Sequence, residues 1–372
     1  MTGSRIALPL AFACACAIAA FAVVPRGIEA QALLSAQDDP AVLADLQLAG
    51  AFDAAVAARE IEAALAADDA DLAKSFLDLA RDRNVAVDPA LAARVEAVNS
   101  AAAATRRAAS RFGRGLITGE ADDVVGLAGT ALGDLFVFGD IRDAVREGAR
   151  LATGEEADEL ILGLAGVGLV LTAGTYASLG VGTPARVGVS VVKAARRAGR
   201  ITAQMAEWLG RSLRDVVDFA KLKDAVRGAT LAEPAVAVRA AREAVKVEKA
   251  QALTRAFADI GRVQSKAGTQ AALDGLKIAQ GPRDLSRIAR LAETKGTRTR
   301  AILKTLGRGA IFLTTSMFTL FSWLFAAIMT VLGFCAAVKR MAERATERYC
   351  ERRRARRADE RLRLASAAVP AR

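Results

Sequence analysis

The stretch FGDIRDAVREG, Phe138–Gly148, gathers Asp140, Arg142, Asp143, Arg146 and Glu147 into a short link between two apolar segments. Asp140 and Asp143 are three residues apart, so on a helix their carboxylates share a face. Such a pair could hold a hard cation together with water. It could also be neutralised within its own turn, because Arg146 follows Asp143 by three residues. A charged link pinned by local ion pairs is therefore the expected structure. Asp134 is of another kind. It interrupts the otherwise apolar run Val124–Phe138, and a carboxylate truly in lipid is a functional candidate. On a helix lying at a surface it would face water, which is the reading preferred. Glu155–Glu156 and Asp158–Glu159 could be imagined as acid/base pairs. They stand where a helix should begin, however, and carboxylates favour helix N-termini without any substrate.

Most other chemistry is excluded by residue type. The chain has 372 residues and no histidine, which removes Ser-His-Asp and Cys-His catalysis, HExxH zinc sites and imidazole acid/base work. Of the four cysteines, Cys14, Cys16 and Cys335 lie in apolar runs and Cys350 stands among arginines, with no CxxC pair. GVGTPA, Gly180–Ala185, fits a GxGxxA pattern, but no strand precedes it and Pro184 would sit where the phosphate-binding helix starts. No cofactor or metal is expected, and the chain reads as non-enzymatic. An enzyme working with carboxylates alone is the least favoured alternative.

The elements that would position these residues read as all-α. Alanine and leucine dominate, aromatics are 5%, and prolines number 8, a composition that favours helix. Three apolar stretches stand out. Ile6–Pro25 lies between Arg5 and Arg26 and follows the plan of a signal peptide or signal anchor within residues 1–30, with a cleavage point after Ala30. Gly309–Val338 is thirty residues without a charge, long enough for a transmembrane helix at about 20 residues per span. Between them, Leu160–Ala185 carries six glycines from Gly163 to Gly182. With Val124–Phe138 it suggests an apolar Gly-rich hairpin over 120–185, in which Gly129, Gly133, Gly163 and Gly166 permit close helix packing. Thr153 and Glu156 make a capping box that would start its second helix near Gly154.

Charge is unevenly distributed. Residues 38–98 hold 13 acids and 5 bases, residues 186–308 hold 26 bases and 11 acids, and the tail 339–372 holds 12 bases and 5 acids. This polarity implies contact between acidic and basic parts, or a basic face on anionic lipid. Residues 38–112 read as an acidic bundle of three helices beginning at Asp39-Pro40, Asp69 and Asp88-Pro89, and ending one helix at Asn84. Residues 186–308 read as basic helices broken at Gly199, Gly210, Gly228, Pro234, Gly281-Pro282 and Gly296. Few aromatics lie there for base stacking, so nucleic acid is not the expected partner. Lys339, Arg340, Arg344 and Arg348 follow the apolar run as a membrane-surface basic set, placing the 339–372 tail in the cytosol by the positive-inside rule. Glu343, Glu347 and Glu351 would support that helix by i,i+3 pairs. Together these signals describe a bacterial-type inner-membrane protein with an exported helical body, lipid headgroups as one partner, and a protein partner possible on the body. The main alternative is a pore, channel or toxin-like element made by the 124–185 hairpin.

Overall fold

Aspartates start the first four helices of the body. Asp39, Asp53, Asp69 and Asp88 each accept backbone N–H bonds in the turn that follows, at Ala41 and Val42, Val56, Leu72 and Ala90 respectively. Each bond satisfies a donor the helix itself leaves open. The resulting helices are α2 (Pro40–Ala51), α3 (Ala54–Ala66), α4 (Ala70–Asp82) and α5 (Pro89–Val98). The computed structural model describes residues 4–100, 140–147, 150, 155, 157–177, 183–226, 239, 241–313 and 317–367. Helix is the dominant element among them, and the β-structure found there is one isolated antiparallel bridge between Val217 and Val245.

The chain divides into two units, Asp38–Phe312 and the pair of terminal segments Met1–Gln37 with Leu313–Arg372. After α5 the first unit, the body, continues with α6 (140–147), α7 (Glu159–Ala177), α8 (Thr183–Arg197), α9 (Ala203–Val216), α10 (Phe219–Val226), α11 (Gln251–Ala267), α12 (Thr269–Ile278), α13 (Pro282–Lys295) and α14 (Thr299–Leu306). One apolar core runs through it, from Leu48, Ile61 and Phe76 to Leu162, Met205, Phe257 and Leu291. Two glycines set its tightest crossing. A Cβ on Gly188 of α8 would run into the Phe257 carbonyl of α11, and one on Gly261 of α11 into the Pro184 carbonyl of α8. Because 184 meets 261 and 188 meets 257, the two helices cross antiparallel with backbone against backbone.

The acidic and basic parts of the body meet each other. Arg300 is buried and holds Asp69 through two 2.6 Å bonds and Asp274 through one of 2.8 Å. Burial alone would lower its pKa, but Asp69 and then Asp274 hold it above the ordinary value. Lys295 reaches Asp45 at 2.6 Å, and Arg298 pairs with Asp82. Ser75, buried on α4, donates to Thr297 O at 2.7 Å and accepts from Ala301 N at 2.9 Å. Part of the charge asymmetry is therefore spent inside the fold.

Several local readings change. The single helix expected between Asp39-Pro40 and Asp69 is two: α2 and α3 bend by 102° where Phe52 is extended and Asp53 caps the next helix. Gly210 does not break α9, whose buried Met205, Leu209, Leu213 and Val216 outweigh the cost of about 1 kcal/mol for one helical glycine. Breaks do occur at Gly268 and Gly307, both with positive φ. Gly228 and Pro234 lie outside the described residues.

The second unit contains α1 (Ser4–Ser35) and α15 (Met317–Ala367), packed side by side. Gly27 makes the approach possible: its Cβ would stand 2.5 Å from Ala327 Cβ and 3.5 Å from Trp323 O. The Arg26 guanidinium lies 4.7 Å from the Trp323 ring centre. Among the described residues, two helical stretches are long and apolar enough to cross a membrane, Ala17–Ser35 and Thr319–Glu360, and protein covers only 11% of the apolar window in each. The apolar run Gly309–Val338 is shared out rather than used whole. Gly309, Ala310 and Ile311 are buried in the body, and the helix begins at Met317. From Met317 to Val338 the helix is about 33 Å long, close to a hydrocarbon core.

Candidate functional site

The residues with most chemical potential converge at α6. Asp140 and Asp143 share one face, as their spacing requires, and both are buried. The group between them is Lys193, whose ammonium reaches Asp140 Oδ1 at 2.5 Å and also pairs with Asp143. Arg186 pairs with Asp140 on its other side. Arg197 donates to Asp143 Oδ1 at 2.6 Å, and Arg142 stands 3.7 Å from the same oxygen. Burial works to raise the Asp143 pKa, but Lys193 and then Arg197 outweigh it and hold the carboxyl below its ordinary value.

The expected local pair between Asp143 and Arg146 is replaced by these tertiary pairs: Arg146 is exposed, while Lys193 and Arg197 come from α8 some fifty residues on. The cation held by the carboxylate pair is thus the chain's own ammonium. Among the described residues no group of three or more metal-ligating side chains forms.

Three elements position the network. On α8, Arg186, Lys193 and Arg197 recur at i, i+7 and i+11, within about 40° on the helix surface. This stripe was the available sequence signal, and a reading centred on Asp140 and Asp143 alone overlooks it. On α7, Gly168 leaves the room: a Cβ there would meet the Asp140 carboxylate and stand 2.9 Å from Arg186 Nη1. Asp158 starts α7, accepting from Leu160 N at 3.0 Å and Ile161 N at 3.2 Å, and also accepts from Arg196. The helix therefore begins at Glu159 rather than near Gly154. Residues 153, 154 and 156 of the expected capping box lie outside the described residues. Buried Glu147 accepts from Asp158 N at 3.0 Å and pairs with Arg150.

Gly163 and Gly166 are packing positions, but their neighbours are side chains of the body. A Cβ on Gly163 would stand 3.0 Å from Phe219, and one on Gly166 3.3 Å from Leu222. Gly129, Gly133 and Asp134 lie outside the described residues. Lys339, Arg340, Arg344 and Arg348 follow one another along α15, with Lys339 3.9 Å from Glu343.

The network can fix α6 against α8, since Asp140 and Asp143 both pair with cations of that helix. Two shallow clefts of about 260 and 270 Å³ lie instead among α3, α4 and α5, around Leu77 and Glu96 and around Leu65 and Arg94. Compared with protein-family models, curated proteins and solved structures, the chain finds no match in any of the three.

Proposed function

We propose that the protein is a non-enzymatic membrane protein of a bacterial-type cell envelope, in which α1 and α15 anchor an exported helical body with a structural or adaptor role. One observation carries this reading. Large apolar side chains along both terminal helices point away from protein, among them Phe21 at 88% exposure and Phe325 at 65%. Their number and continuity call for lipid, because water would be a costly solvent for such a surface. Continuation of α1 as helix through Ala30 to Ser35, with Ala30 buried, supports a retained anchor over a cleaved signal.

On this reading two crossings return both ends of the chain to one side, and the Lys339–Arg348 set supports the cytosol as that side. The pore reading draws less support: the described part of α7 is buried by Leu213, Phe219, Leu222 and Val245 of its own body. A non-enzymatic role is supported by the mutual neutralisation of the buried ionisable groups at α6. The topology is tested by a reporter fused after Arg372 of the full chain, with protease added to intact cells stripped of their outer layer. The expected result is a cytosolic reporter together with cleavage inside Asp38–Phe312. A reporter active on the exported side would overturn it.

A further inference from the structure

α15 does not stop where its apolar part ends. It continues past Val338 to Ala367 as one helix, and that segment holds no glycine or proline, the usual causes of a kink. Five of the six residues from Arg352 to Arg357 are arginine, and all five are exposed. Among the described residues, the ion pair found in this segment is that of Lys339 with Glu343. The five guanidiniums thus keep their charge open to a partner, unlike Arg186, Arg197 and Arg300 of the body. At about 100° per residue, Arg352, Arg353, Arg354, Arg356 and Arg357 spread over an arc of roughly 200°. Glu351, Ala355 and Ala358 take the remaining side.

We propose that Arg352–Arg357 is a docking site for the phosphate backbone of duplex DNA, bound without regard to sequence. The inference rests on the reading that α15 crosses the bilayer with this end in the cytosol. A helix rises about 1.5 Å per residue, so Lys339 to Arg348 lie within about 15 Å of Val338, where long side chains reach back to headgroups. Arg352 to Arg357 lie about 21 to 28 Å beyond Val338, and a tilt of about 20° shortens those heights by only about 6%. The headgroup layer is about 5–7 Å deep, and its field decays over about 8 Å at physiological salt. The cluster therefore stands more than one decay length clear of lipid at Arg352 and more than two at Arg357, and it calls for another anion. The arc decides which kind. A flat acidic protein surface meets one side of a helix, whereas a groove walled by phosphates meets two. A helix about 10–12 Å across fits the DNA major groove, about 12 Å wide, and guanidiniums pair with phosphate through two parallel bonds. Tyr349 is the one aromatic residue in 339–372, so the contacts expected are to phosphate, which carries no sequence information.

The test uses the full chain in phosphatidylcholine nanodiscs, which carry no net lipid charge. A fluorescent amino acid replaces Ala355, on the side away from the arginines, and energy transfer to a dye-labelled DNA duplex of arbitrary sequence is titrated. Saturable transfer is expected, with affinity falling against salt at a log–log slope of roughly −4.5, the value for five phosphates. Replacing Arg352, Arg353, Arg354, Arg356 and Arg357 together by glutamine is expected to weaken binding by about tenfold or more and to flatten that slope. Arg340→Gln with Arg344→Gln, at headgroup height, is expected to change it by less than about threefold. Absence of transfer, or binding undiminished by the five substitutions, in a chain that enters the discs would overturn the docking site and leave the anchoring reading standing. Competition by polyglutamate as effective as by unlabelled duplex would overturn it in favour of an acidic protein. A chain that does not enter the discs at all would overturn both readings.

Discussion

Replacing Asp140 with alanine is expected to destabilise the body by about 3–5 kcal/mol, the range for breaking a buried ion pair from one side. The physical cause is what stays behind. Arg186 and Lys193 are both nearly inaccessible to water, and Asp140 is a partner of each. Removing the carboxylate leaves two cations with one buried acid, Asp143, between them and Arg197. Asp140→Asn keeps the shape and two polar atoms, yet loses the charge, so it should fall between alanine and the native residue. Urea unfolding of the purified chain in detergent, followed by circular dichroism, measures the series.

The same network fixes a direction for acid sensitivity. Asp143 has a folded pKa held below the unfolded value of 3.8. Its contribution to stability is therefore fully present above that pH and is lost as the pH falls through the lower, folded value. Stability should be flat through neutral pH and decline only in strong acid, and Asp143→Asn should remove that part of the decline.

Substituting the glycines of the α8–α11 crossing is expected to have the second large effect. Gly188→Ala places a methyl carbon against Phe257, with the carbonyl carbon 2.6 Å away. The obstacle is backbone in the middle of a helix, which cannot swing aside as a side-chain tip can. Overpacking costs about 1–3 kcal/mol where neighbours can shift, so the upper end of that range is expected here. Gly261→Ala meets the Pro184 carbonyl in the same way, and the double variant should open the crossing altogether. Gly50→Ala is the control: it lies in α2 with nothing within 4 Å of its added carbon, and it should be neutral or slightly stabilising. Thermal unfolding of the four chains separates these outcomes.

What the sequence disclosed followed from how local the determining contact is. Asp39, Asp69 and Asp88 could be read as helix starts because a cap is made with residues two or three positions on. Asn84 could be read as a stop because it is a residue that tolerates the positive φ it adopts. The bend at Phe52–Asp53 was hidden by apolar residues continuing on both sides of it. At the candidate site, the shared face of Asp140 and Asp143 was legible, since it is a property of one helix. Their partners were not, because Arg186 and Lys193 arrive by tertiary packing from 46 and 53 residues away. The glycines showed the same limit. Those in the apolar run of α7 stand out by their density, whereas Gly188 and Gly261, which bring two backbones together, lie in ordinary amphipathic helices. The late apolar run was legible as a helix long enough to span a membrane, but not the loss of its first residues, which Gly307 and the core around Ile311 draw into the body.

The central claim is that α1 and α15 lie among lipid chains. Its most direct measurement is extraction of membranes from cells making the full chain, first with alkaline carbonate and then with detergent. The account expects the chain to remain in the carbonate pellet and to leave it only with detergent. Recovery in the carbonate wash, as a chain that stays folded and dispersed without detergent and does not float with vesicles, would contradict it.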